Sequence, residues 1–190
     1  MFSTQSLRKL ILPLFLDQIL LVLVSIVSTM LLSYAGEAAV SGVSLVEMVN
    51  VLLINILIAI STGGAVVVAQ MIGSQNHFLA NKSAGQIVFI TLLVSVTFTL
   101  VVLFFHPLIL NLLFGQVDPE VMNAAKIYFV LSSLSYPFLA LYNTSAALFR
   151  AQGNSRIPML ASMFMNGLNI LGFYLAIFVF QAGITGVAIA

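Results

Sequence analysis

Five apolar stretches, each long enough to cross a bilayer and almost free of charge, decide what this chain can fold into. A helix needs about 20 apolar residues to cross a hydrocarbon core of about 30 Å. In lipid, every backbone N–H and C=O must be satisfied within the spanning structure. The stretches cover residues 10–33, 46–71, 85–105, 124–149 and 157–180, and a sixth begins at 184 and runs to the last residue, Ala190. Asp17 is the only interruption in the first, which is too long for the roughly 7–15-residue core of a signal peptide. No segment alternates apolar and polar residues over about ten positions, as the strands of an outer-membrane barrel do. The pattern predicts an all-α, polytopic membrane helical bundle of five complete transmembrane helices and the start of a sixth, cut within it.

Composition excludes the alternatives. Apolar residues make up 62% of the chain and charged residues 6%, against roughly 45–50% and 25% in soluble domains. Six basic and five acidic residues cannot solvate a globule of 20.4 kDa. Disorder, nucleic-acid binding and a disulfide-stapled secreted fold are all ruled out. Cysteine is absent and the two histidines stand apart, so no metal cluster or other cofactor is expected. No Ser-His-Asp set or phosphate loop is present, so no enzyme machinery is expected either.

The charges that remain mark the ends of the spans. Arg8, Lys9, Lys82, Arg150 and Arg156 fall at one set of alternate ends; Glu37, Asp118 and Glu120, with Lys126, fall at the other. The positive-inside rule then puts the N-terminus in the cytoplasm of a multi-pass protein of the cell membrane, the inner or plasma membrane of a bacterium. Asp118-Pro119-Glu120 reads as an N-cap, a proline at the first helical position and an acid in the first turn. Gly153-Asn154-Ser155 reads as a tight turn. Pro13 and Pro137 lie inside spans and should kink them, freeing carbonyls that need other partners. Gly63-Gly64 should let two helices approach closely.

Polar residues within the spans carry the functional signal. Asp17 lies about seven residues into the first stretch, roughly 10 Å from its start. One reading has it snorkel to the interface and pair with Arg8 or Lys9. The other makes it a site for a proton or a cation such as Na⁺ in a watered cavity. Ser28 follows by three helical turns on the same face. Ser132, Tyr136 and Asn143 form a stripe on the fourth helix, and Ser162, Asn166 and Asn169 another on the fifth. Glu47, Asn50, Ile54 and Ser61 share a face of the second, with Asn55 and Thr62 on another. For the Ser and Thr residues, hydrogen bonding between helices is sufficient explanation. Stacked asparagines beside an acid point instead to a cavity wall. Glu47 is expected at the outer interface rather than as a ligand, and His77 and His106 as ordinary residues of loops or span ends. Apart from Lys126 at the outer end of the fourth, no Lys or Arg lies within a span, so a phosphate has no hold at mid-membrane.

Several segments carry a resemblance. The run SYAGEAAVSGVS (33–44) resembles a loop of the multidrug and toxic compound extrusion (MATE) transporters, and Pro13 matches an early proline of that family. GGAVVVAQMIG (63–73) is similar to the segment that closes the family's second helix. LFRAQGNSRIPM (148–159) resembles its arginine-bearing cytoplasmic loop, the most specific of these matches. NGLNI (166–170) is similar to a fifth-helix motif. Together they span nearly the whole chain in order.

The resemblance implies two six-helix lobes around a central cavity, of which residues 1–190 would be the N-terminal transmembrane lobe. It implies a multidrug efflux transporter exporting small cationic or amphipathic compounds by antiport with Na⁺ or H⁺. The partners implied are the lipid bilayer and a second lobe, whether a missing C-terminal half or another copy. Substrate- and ion-binding residues are then expected among Asp17, Ser28, Tyr136, Asn143, Asn166 and Asn169. The family's first-helix aspartate aligns with Ser28, and a fifth-helix position that is asparagine in some members is Phe173 here. Rival readings are a flippase for lipid-linked oligosaccharides and a membrane subunit that transports nothing.

Overall fold

Where helices end depends on how their orphan backbone groups are satisfied, and the computed structural model shows each device at work. It describes residues 4–34, 36–115, 117–180 and 183–189, with the side chains at 4–10, 12, 13, 183, 184 and 187 outside the description. The elements are α1 (Thr4–Ser33), α2 (Glu37–Gly73), α3 (His77–Phe114), α4 (Pro119–Ser133), α5 (Tyr136–Ala151), α6 (Arg156–Tyr174) and α7 (Gly183–Ile189), with a π-helical turn at Leu175–Val179 after α6. Among the described residues there is no strand. The chain is an all-α membrane bundle. Leu14–Ser33, α2, α3 and Arg156–Val179 are each long and apolar enough to cross a membrane, and α4 with α5, bent by 49° at the break between them, is long and apolar enough as a pair to be a fifth.

Two helices outrun the apolar stretches that announced them. α2 and α3 have 37 and 38 residues, about 55 Å each at 1.5 Å per residue. The charge boundaries at 46 and 85 located the apolar stretch, whereas the helical hydrogen bonding continues past it into the interface. Lys82 and His106 therefore sit in α3, not in loops.

Caps follow the sequence signals. Asp118 accepts from the Glu120 N–H at 2.9 Å, with Pro119 opening α4. At the end of α5, Gly153 adopts φ +79°. The Gly153 and Asn154 N–H groups bond to the carbonyls of Arg150 and Phe149, both at 2.9 Å, a Schellman closure. The carboxamide of Asn154 then accepts from the Arg156 N–H at 3.2 Å, opening α6.

Pro137 and Pro107 act as chemistry requires. Pro137 has no N–H for the carbonyl of Ser133, and the helix breaks between α4 and α5. Thr99 on α3 donates to that freed carbonyl at 2.9 Å. Pro107 likewise deprives Leu103, whose carbonyl bonds Nδ1 of His106 at 3.2 Å. α1 runs through Pro13 as one unbroken helix.

α2, α3, α4 and α5 pack as one unit. Its core joins Val46, Val102, Leu110, Ala125, Phe129 and Tyr136, each at most 2% exposed. Ser61, Thr91 and Thr144 add a buried hydroxyl cluster linking three of these helices, with both contacts at 2.9 Å. Close approach depends on Gly42, where a Cβ would lie 2.9 Å from the Ala125 nitrogen of α4, and on Gly64, where it would lie 2.6 Å from Ile87. Gly63, expected to share that role, faces open space. α1 leans chiefly on α6, and this pair touches the four-helix unit more sparsely. Among the described side chains of α1, only Asp17 and Leu32 are buried.

Candidate functional site

The crevice between the α1–α6 pair and the four-helix unit holds two adjoining cavities. The first, about 390 Å³, is lined by Asp17 and Gln18 of α1, Ile54 of α2, Tyr142, Asn143 and Arg150 of α5, and Ser162 and Asn166 of α6. The second, about 440 Å³, is lined by Tyr128, Ser132 and Ser135 on one side and by Asn166, Asn169 and Phe173 on the other. Leu139, Met165 and Asn166 belong to both walls.

Asp17 is 7% exposed, and its Oδ1 is buried without a hydrogen-bond partner. That burial weighs against the snorkelling alternative, and any pairing with Arg8 or Lys9 lies outside the described side chains. A buried polar atom without a partner is costly, which makes Asp17 the candidate acceptor of this cavity.

The α6 stripe survives folding. Ser162 and Asn166 face the first cavity and Asn169 the second, and Nδ2 of Asn166 donates to Oγ of Ser162 at 3.1 Å. Ser28 reaches Asn169 Oδ1 at 3.5 Å, the outer limit of a hydrogen bond.

The α4–α5 stripe does not survive. Ser132, Tyr136 and Asn143 share a face only on a continuous helix, and the break at Leu134–Ser135 separates them. Ser132 faces the second cavity and Asn143 the first. Tyr136 is 1% exposed in the core and lines neither cavity; its hydroxyl donates to Asn50 Oδ1 at 2.6 Å.

Three features escaped the sequence reading. Glu47 turns inward from the expected interface: its Oε1 accepts from the Tyr128 hydroxyl at 2.8 Å and from Asn50 Nδ2 at 3.3 Å. Asn50 Nδ2 also reaches Ser132 Oγ at 3.3 Å. The i, i+3 spacing of Glu47 and Asn50 was the available signal, but nothing in the sequence paired them with Tyr128. Tyr142 joins the first cavity from α5. Arg150, assigned to a loop by its charge, sits in the last turn of α5 and lines the cavity with Asp17; its Nε is buried without a partner. Among the described residues no cluster of three His, Cys, Asp or Glu side chains could hold a metal ion.

Known proteins share this architecture. The family model MatE matches residues 13–175. The chain is 30% identical over 195 residues to the probable multidrug resistance protein NorM of Thermotoga maritima, covering 98% of this chain and 40% of that protein. It is also 30% identical over 193 residues to multidrug and toxin extrusion protein 1 of Xenopus tropicalis, covering 99% of this chain and 32% of that protein. Among solved structures, an outward-facing multidrug resistance MATE family transporter superposes with a TM-score of 0.90 at 20% identity, over 96% of this chain and 40% of that one. A MOP superfamily transporter from Pyrococcus furiosus, described as having a binding pocket of reversed polarity, superposes with a TM-score of 0.88 at 22% identity, over 96% of this chain and 40% of that one. At these identities the superpositions establish the fold. The chain spans about 40% or less of the length of these relatives.

Proposed function

The chain belongs to the MATE family, and from that premise we propose that it forms the N-terminal lobe of a multidrug exporter that exchanges cationic or amphipathic compounds for Na⁺ or H⁺. The observation that carries the proposal is Asp17: a buried carboxylate oxygen with no partner, in the wall of a cavity that adjoins the Asn166–Asn169 stripe. A carboxylate in such a place exchanges a proton or Na⁺ for a cationic substrate, so that taking one releases the other. Asn143, Asn166 and Asn169 offer carboxamide oxygens and nitrogens to whatever lies alongside. Alternating access requires two halves that rock about a midplane site. The lobe therefore works with a second one, either covalently attached or supplied by another copy, in the cell membrane with its N-terminus in the cytoplasm.

The test is uptake of a fluorescent organic cation into inverted vesicles carrying the two-lobe protein, with an imposed Na⁺ or proton gradient. Uptake driven by one gradient, and weakened in Asn169→Ala at unchanged abundance, is the expected result. Uptake indifferent to both gradients would remove the antiport reading. Abundance falling in step with activity in Asn169→Ala would make that residue a packing element.

A further inference from the structure

The first cavity contains two opposite charges, and each has a buried atom with nothing to bond. Oδ1 of Asp17 and Nε of Arg150 both lack a hydrogen-bond partner, and both residues line the same 390 Å³ space. Tyr142 lines the same cavity. Removing a charge from water is tolerated only when a partner replaces the water. A simple cation would satisfy Asp17 but leave Arg150 unanswered. An anion would do the reverse.

From this we propose that the cavity is a bipolar site whose preferred occupant is a small aromatic zwitterion, with its ammonium on Asp17 and its carboxylate on Arg150. The proposal deepens the exporter reading and rests on it only in treating the cavity as one that takes substrate. The guanidinium supplies parallel N–H donors that match a carboxylate, and the carboxylate of Asp17 is an acceptor suited to an ammonium. The volume is at the lower end of small-molecule pockets, about 300–1,000 Å³, so an amino-acid-sized molecule fits. Leu21, Ile54, Ile58 and Leu139 give its ring an apolar wall. The arrangement escaped the sequence because Arg150 belongs by charge to a loop, whereas it sits in the last turn of α5 and lines the cavity.

The chain contains no Trp, so bound indole can be read by its own fluorescence. The experiment titrates the full chain in lipid nanodiscs with tryptophan, with tryptamine, which lacks the carboxylate, and with indole-3-propionate, which lacks the ammonium. Tryptophan should bind about tenfold or more tightly than either, the difference expected of one charge-assisted contact. Arg150→Gln should bring tryptophan down to the affinity of tryptamine, and Asp17→Asn down to that of indole-3-propionate. Arg150→Lys should keep part of the preference. Because each preference is a ratio within one preparation, a partly folded variant still reports it, and either variant alone tests one half of the site. Tryptamine binding as well as tryptophan, a preference that survives Arg150→Gln, or no binding of any of the three would overturn the proposal. The preference needs neither an ion gradient nor a second lobe. Failed cation export with an intact preference would therefore count against the exporter reading alone, and export without the preference against the bipolar site alone.

Discussion

Asp17 is 7% exposed while one carboxylate oxygen bonds to nothing, and a residue kept under that cost should be missed when its charge is removed. Asp17→Asn preserves shape and deletes charge. It should lower cation export by about tenfold or more, the equivalent of losing a contact to a charged group worth about 1.5–3 kcal/mol, with abundance and insertion unchanged. Ser28→Ala should do little, since its contact with Asn169 is 3.5 Å long. Full export by Asp17→Asn across the neutral pH range would show that the carboxylate has no part in the cycle. Asp17 was legible because a lone acid in an apolar stretch has few explanations. Asn166 and Asn169 were legible because α6 is regular and the wheel drawn from its sequence holds. Tyr136 leaves its expected stripe for the opposite reason: the wheel assumed a continuous helix where the backbone turns. Arg150 was missed because charge tells which end of a span a residue occupies, while packing alone tells which way it faces.

The bent α4–α5 crossing shows how one element is repaired by another. Pro137 leaves the Ser133 carbonyl without a helical donor, and Thr99 of α3 supplies one at 2.9 Å. Hydrogen bonds between helices in a membrane are worth about 0.6 kcal/mol on average and up to about 1.7. Thr99→Val should therefore lower stability by about 1 kcal/mol, read as a shift in thermal unfolding in detergent. In a Pro137→Ala background the new N–H can serve the carbonyl, so the same Thr99 substitution should cost less. Equal costs in the two backgrounds would mean that Thr99 stabilises by packing, since the cycle isolates the coupling between the two positions. The kink itself was readable from Pro137, and so was the need for a replacement donor. The identity of that donor was not, because Thr99 and Ser133 lie 34 positions apart and only the packing of α3 on α4 brings them together. Pro107 and His106 follow the same logic within one helix, which makes His106 a partner of the backbone rather than a bystander.

At the scale of the whole molecule, the uneven packing is the informative feature. α2 to α5 share a dense core, α1 and α6 share each other, and both cavities occupy the boundary between the two groups. Sliding at a thinly packed boundary disturbs fewer contacts than deforming a core, so any motion that opens these cavities should move α1 with α6 against the rest. That arrangement requires α4 and α5 together to cross the membrane rather than return to the side they left. A bend of 49° leaves the two segments running onward in the same general direction, and the charges agree: Asp118 and Glu120 at one end, Arg150 and Arg156 at the other. The chain has no cysteine, so single introduced thiols report their own side. Ser155 would be a poor choice because it is 3% exposed, whereas Glu120 and Gln152 are both exposed. In intact cells an impermeant maleimide should label Glu120→Cys, and Gln152→Cys should react only once the membrane is opened. Labelling of both from outside would make α4–α5 a re-entrant hairpin, reverse the direction of α6, and separate Arg150 from the cytoplasmic end on which the positive-inside assignment depends.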